Sequence, residues 1–259
     1  MFRLNMLFTV RRSMFEKNLH LDCSAVRVVA AAAILCTLTG CQAIVSSEPQ
    51  SQVRIIHATP DAPGLDVYQG PNALAFNLGF GTVTSYIPLA PGNYTINADT
   101  AGSKQTLSSA KASFAASAQY TVLIGNSAAS MQQLTLTDQS QPAPSGQIAL
   151  RFIHQATRTG AVDIYLVPAG QKLSAVTPLV NGMIFGANTG YLNVPTGIYS
   201  LIMMPAKITP VTTTATYAGP QVTYSSGSAR TIVLIDQQLV SMPGLQVITA
   251  NDFDSQGAS

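Results

Sequence analysis

Val53-Arg54-Ile55-Ile56-His57-Ala58, followed after seven residues by Asp66-Val67-Tyr68, occurs twice in this chain. It returns as Leu150-Arg151-Phe152-Ile153-His154-Gln155 and then Asp163-Ile164-Tyr165. Arg, His, Asp and Tyr reappear in the same order at a constant offset of 97 residues. Four matched polar or aromatic positions inside matched apolar runs mark a tandem repeat. Each copy opens with a strand, continues through turn formers (Thr59-Pro60-Asp61-Ala62-Pro63-Gly64) and enters a second strand. In that second strand Leu65 and Val67 point one way and Asp66 and Tyr68 the other.

The repeat extends further. Phe80-Gly81 through Tyr86, then Pro91-Gly92-Asn93-Tyr94, is matched by Phe185-Gly186 through Tyr191, then Thr196-Gly197-Ile198-Tyr199, at an offset of 105. The second copy has therefore gained eight residues between Tyr165 and Phe185, and Pro168 to Pro178 is a loop by composition. Tyr120-Thr121-Val122-Leu123-Ile124 matches Arg230-Thr231-Ile232-Val233-Leu234-Ile235, and Leu134-Thr135-Leu136 ending at Asp138 is matched by Leu245-Gln246-Val247-Ile248 ending near Asp252. Each copy offers about six or seven short strands, with turn signals between them and no helical apolar period. The expected fold is all-β: two tandem immunoglobulin-like, Greek-key β-sandwiches over residues 53–138 and 148–254. A Pro- and Ser-rich linker, 139–147, falls between them, and residues 255–259 form a tail.

Charged residues make up 9% of the 259 and hydrophobic ones 47%, too apolar a balance for a disordered chain. The net charge of +2 comes from the amino-terminal region: five basic residues precede Cys41, and eight remain after it against nine acidic ones. Without a basic run there is nothing to neutralise phosphates, which argues against nucleic-acid binding.

Behind Arg27 lies the apolar run Val28 to Cys36, then Leu38-Thr39-Gly40-Cys41. The run is too short to span a bilayer and ends in small residues, as a secretory signal does. Its last four residues resemble the bacterial lipobox. That resemblance implies a signal peptide over 1–40, lipidation with a diacylglyceryl and a further acyl (palmitate-type) chain on Cys41, and membrane anchoring that several acyl chains make near-permanent. Gln42 after the Cys implies the outer membrane rather than retention at the inner one. Met1, Met6 or Met14 serves as the start. Residues 42–52 read as a flexible polar tether. Cys23 and Cys36 leave with the leader, so a disulfide and a thiolate metal site are both excluded.

The stretch from Val53 to Tyr68, together with Phe80-Gly81, Tyr86 and Ala90-Pro91-Gly92-Asn93-Tyr94, resembles the bacterial domain-of-unknown-function family 4397. That implies a β-rich envelope or secreted protein and carries no activity. The second copy departs from the pattern where Thr157-Arg158-Thr159-Gly160 replaces the Pro-Asp-Ala-Pro turn.

His57 with Asp66, and His154 with Asp163, are the residues most suggestive of chemistry, since a His beside a carboxylate can orient a base or ligate a metal. A metal needs three or four ligands, and the chain after Cys41 has two His. Its Asp residues are scattered without a calcium-loop spacing, and its one Glu, Glu48, lies in the tether. No strained G-x-S-x-G turn offers a nucleophile. The expectation is that each His bonds a turn carbonyl or the Asp and staples the first two strands, and that Tyr68, Tyr86, Tyr94 and their counterparts pack, with a tyrosine-corner arrangement in view. No catalytic residue, metal or cofactor is expected. The protein is read as a non-catalytic envelope lipoprotein acting in protein interaction or structure. The alternative is binding of an envelope polysaccharide through exposed Tyr, and a hydrolase based on the His–Asp pairs ranks last.

Overall fold

The structure is a computed structural model that describes residues 48–238 and 244–254. The leader, the lipobox residues Leu38, Thr39, Gly40 and Cys41, and the tail lie outside the described residues. The described chain falls within one compact unit beginning at Glu48.

Sixteen strands are described, eight in each copy. The first half holds β1 (Ser51–His57), β2 (Leu65–Gln69), β3 (Asn72–Leu78), β4 (Ile87–Leu89), β5 (Gly92–Thr100), β6 (Thr106–Phe114), β7 (Gln119–Gly125) and β8 (Gln132–Thr137). The second holds β9 (Gln147–His154), β10 (Val162–Pro168), β11 (Val180–Met183), β12 (Asn188–Pro195), β13 (Gly197–Pro205), β14 (Tyr217–Tyr224), β15 (Ala229–Asp236) and β16 (Leu245–Phe253). Each half is a sandwich of two four-stranded sheets. An inner sheet is ordered β4-β1-β7-β8 in the first half and β12-β9-β15-β16 in the second. An outer sheet is ordered β3-β2-β5-β6 and β11-β10-β13-β14. Adding eight to each strand number converts one half into the other, so the repeat read in the sequence is a repeat of topology. One pair in each inner sheet is parallel, β1 with β7 and β9 with β15, a feature that a purely antiparallel Greek key lacks.

The inner sheets are buried on both faces, and the period-2 rule explains their composition. In β1, Val53 and Ile55 enter the first half's own core with Leu65, Ile96, Phe114 and Val122. Ile56 points the opposite way, joining Leu123 and Leu136 against Ile153, Val233, Ile235 and Ile248 of the second half. The two inner sheets therefore pack on one another through a shared apolar cluster.

Two boundaries differ from the sequence reading. Ser51 and Gln52, expected in the tether, belong to β1: Ser51 is buried and donates to the Leu89 carbonyl at 2.7 Å. The Pro- and Ser-rich linker is held against the second half, where Ala143 is buried with Ala149 and Ala229 and its amide donates to the Gly227 carbonyl at 2.9 Å. Small residues let that segment lie flat on the sheet, which composition alone does not distinguish from a free linker.

Candidate functional site: a locked interface and two unequal outer faces

The repeated Asp residues do not pair with the repeated His. Asp66 accepts the backbone amides of Asn77 at 2.8 Å and Gly102 at 3.0 Å. Asp163 accepts those of Gly182 at 2.6 Å and Lys207 at 3.3 Å. All four donors sit at positive φ, where the amide turns out of the strand ladder and needs a side-chain acceptor. His57 Nδ1 lies 2.9 Å from the Leu78 carbonyl, and His154 Nε2 lies 3.3 Å from the Gly160 carbonyl. Both imidazoles are fully buried, and burial pushes both below the ordinary histidine range. Each meets a Phe edge-on, Phe80 and Phe185 respectively. Tyr94 and Tyr199 donate to the carbonyls of Ala90 and Pro195, four residues upstream, at 2.8 and 3.1 Å. Among the described residues no group of three or more His, Cys, Asp or Glu is placed to hold a metal.

The repeated Arg residues have a role that sequence reasoning missed. Arg54 reaches from β1 across the interface to Asp252 beyond the middle of β16, and Arg151 reaches back from β9 to Asp138 at 2.5 Å. Arg54 also donates to Thr121 Oγ1 at 2.8 Å and the Asn251 carbonyl at 2.7 Å. Arg151 matches it with Thr231 Oγ1 at 3.0 Å and the Thr137 carbonyl at 3.0 Å. Each Asp is satisfied by its own half as well. Asp138 accepts from Thr121 and Tyr86, and Asp252 from Thr231 and Tyr191, all at 2.6–2.8 Å. The guanidinium groups lie 4.9 and 4.7 Å from the ring centroids of Tyr86 and Tyr191. Burial pushes both phenols up, and the adjacent carboxylates add to it. Burial also raises the Asp252 carboxyl against the opposing pull of Arg54. Opposed charges with every carboxylate oxygen hydrogen-bonded form a locking device, exchanged between halves about a pseudo-two-fold axis.

Away from this interface the halves diverge. In the second half Tyr165 is 3% exposed and packs with Val167, Ile202 and Met204 on the outer face of its sheet, covered by Leu173, Val176 and Ala215. Leu173 lies in a short 3-10 turn, Leu173–Ala175, inside the segment that carries the eight-residue gain. The insertion thus serves as a cover. In the first half the connection from β2 to β3 is a two-residue turn, and nothing described covers the face. Tyr68 is half-buried and meets Phe76, 69% exposed, edge-on at 6.0 Å. Register places Tyr68, Asn97 and Ser109 in one row, followed along β5 and β6 by Thr95 opposite Lys111 and Asn93 opposite Ser113. Ser109 Oγ donates to Asn97 Oδ1 at 2.7 Å.

The model of the family described as Domain of unknown function (DUF4397) matches residues 51–165, the first half and the opening of the second. The first half is similar to that family. No curated protein matches the chain. Among solved structures, the chain is similar to one described as CBMbc (family CBM26) from Eubacterium rectale Amy13K in complex with maltoheptaose, at 9% identity and a TM-score of 0.23, over 80% of this chain and 98% of that one. It is also similar to one described as alpha-glucan binding by a streptococcal virulence factor, at 11% identity and a TM-score of 0.22, over 60% of this chain and 80% of that one. Likeness at these levels carries no argument about ligand.

Proposed function

We propose that this protein is a non-catalytic binding module of the bacterial cell envelope, held at the outer membrane by acyl chains on Cys41. The observation that carries the reading is how the repeated polar residues are spent. Asp66 and Asp163 hold backbone amides, His57 and His154 face carbonyls in closed surroundings, and Arg54, Arg151, Asp138 and Asp252 lock the halves together. A general base has to reach a substrate, and these groups are turned inward. The accessible remainder is loops and the outer face of the first half, which suits recognition.

In-cell chemical crosslinking, capture of the full chain and identification of what accompanies it test the proposal, with Cys41→Ala as the comparison. Enrichment of one envelope component with the wild-type chain, lost with Cys41→Ala, is the expected result. Equal recovery of the same component by Cys41→Ala refutes the anchor. Recovery of nothing above background refutes the binding role. A protein-interaction role and a polysaccharide-binding role both fall within this reading, and the character of the open face distinguishes them.

A further inference from the structure

The outer faces of the two halves form an internal comparison. A surface cavity in each half includes the same register row of the outer sheet. One of about 470 Å³ is lined by Asn93, Thr95, Lys111 and Ser113 in the first half, and one of about 460 Å³ includes Ser200 and Gln221 in the second. Ser200 opposite Gln221 is the register counterpart of Thr95 opposite Lys111. The two cavities share that row, but the second is walled by Gly170, Lys172, Leu173 and Val211, segments that rise over its sheet, whereas the first lies open on β5 and β6. In the second half the rest of this face is covered by the chain itself, and the covered positions are apolar: Ile202 stands where the first half has Asn97, and Met204 where it has Asp99. A face that accepts a packed protein segment in this fold thus carries aliphatic side chains. The first half's face does not.

Resting on the reading of this protein as a binding module, we infer that the outer face of the first half, from Tyr68 and Phe76 along the rows of Asn97, Thr95 and Asn93, binds a neutral polysaccharide laid along β5 and β6. Three features select that chemistry. Two rings at the head of the face offer a stacking surface for the C–H face of a sugar ring, and Phe76 is left in solvent at an energetic cost that a ligand would relieve. The rows behind them present amide and hydroxyl groups, which match sugar hydroxyls as both donors and acceptors. Lys111 is the only formal charge that the three rows expose, too little to select a polyanion. Successive rows on one face are spaced by about 6.8 Å, so the strip accommodates consecutive sugar residues of an extended chain. Tyr165, equivalent in sequence to Tyr68, has no part in this site because its ring is buried.

Native affinity electrophoresis of the full chain in detergent, in gels containing amylopectin, dextran, laminarin or mannan, tests the inference, with alginate as the polyanion. Retardation by at least one neutral polysaccharide is expected, with Phe76→Ser and Tyr68→Ala each weakening it about tenfold or more and Tyr68→Phe retaining it. Thermal melts of the same variants show whether the fold is intact, and Phe76→Ser, on an exposed side chain, keeps the test decisive if Tyr68→Ala unfolds. Retardation by none of the neutral polymers, by alginate alone, or undiminished in folded Phe76→Ser overturns the inference. Capture of a protein partner by crosslinking in that event would leave the binding-module reading standing and remove only the polysaccharide.

Discussion

Replacing Arg54 with Met should cost this protein several kilocalories, because it strips one side of the exchanged ion pairs and leaves the other buried. The side chain fits the space, while Asp252 loses its counter-charge, the Asn251 carbonyl its donor and Thr121 one of its partners. Asp252 would retain only the hydroxyls of Thr231 and Tyr191. Removing one member of a buried pair costs about 3–5 kcal/mol. For a unit of roughly 200 residues, each kcal/mol moves Tm by about 2–4 °C, so differential scanning calorimetry should read a fall of about 6–20 °C. Arg54→Met combined with Asp252→Leu should recover most of the loss, since the unpaired charge, rather than the missing attraction, dominates the penalty. Arg151→Met should match Arg54→Met because its surroundings are the same by pseudo-symmetry. A fall below about 2 °C in Arg54→Met, or a double variant no more stable than the single, would refute this account of the interface.

Three further outcomes follow from the same geometry. His57 and His154 are held below the ordinary histidine pKa of about 6.5, so their contribution to stability is present above that value and is lost as pH falls through it. Asp252, shifted upward, acts in the opposite sense, so the comparison to make is the slope of Tm between pH 7.5 and 5.5 in wild type against His57→Gln with His154→Gln, which should be flatter. Residues 48–146 expressed alone would expose Arg54, Ile56, Leu123 and Leu136, and should form a two-fold dimer in which Arg54 meets the partner's Asp138; light scattering that gives a folded monomer contradicts the locking role. Tyr165→Ala should cost about 3–5 kcal/mol in chemical denaturation and Tyr68→Ala only about 1 kcal/mol, and equal costs would remove the distinction between a covered face and an open one.

The repeat was legible because its spacing is set by topology. Arg54 with Arg151, Tyr86 with Tyr191, and Asp138 with Asp252 could each be matched between copies from sequence alone. Which copy's Arg meets which copy's Asp could not, because the exchange is a property of how two sheets pack and leaves no local period. Sequence leaves open whether each His meets a carbonyl or the Asp, because closeness in a motif does not fix contact; both His face carbonyls, and left-handed amides at Asn77 and Gly102 claim Asp66. The strand β3 escaped notice because its alternation is broken. Leu74, Phe76 and Leu78 share a parity that would place all three in the core, but register shifts against β2 and the positive φ of Asn77 put Phe76 in solvent.

Duplication explains why the two outer faces were free to become different. The inner sheets answer to each other, so a change at Arg54, Asp138, Arg151 or Asp252 strands a buried partner and is costly. Among the described residues, the strand pairs and apolar cluster of each outer face lie within its own half. One copy could therefore accept a cover of eight added residues and carry Ile202 at the counterpart of Asn97, while the other leaves Tyr68 and Asn97 half-buried and Thr95 exposed. Were the open face merely the uncovered ancestor of the covered one, Phe76 would be a liability without return, since an exposed ring on the edge strand β3 invites association. Its position beside Tyr68, at the head of a polar strip, is what makes the first half rather than the elaborated second half the place to look for a ligand.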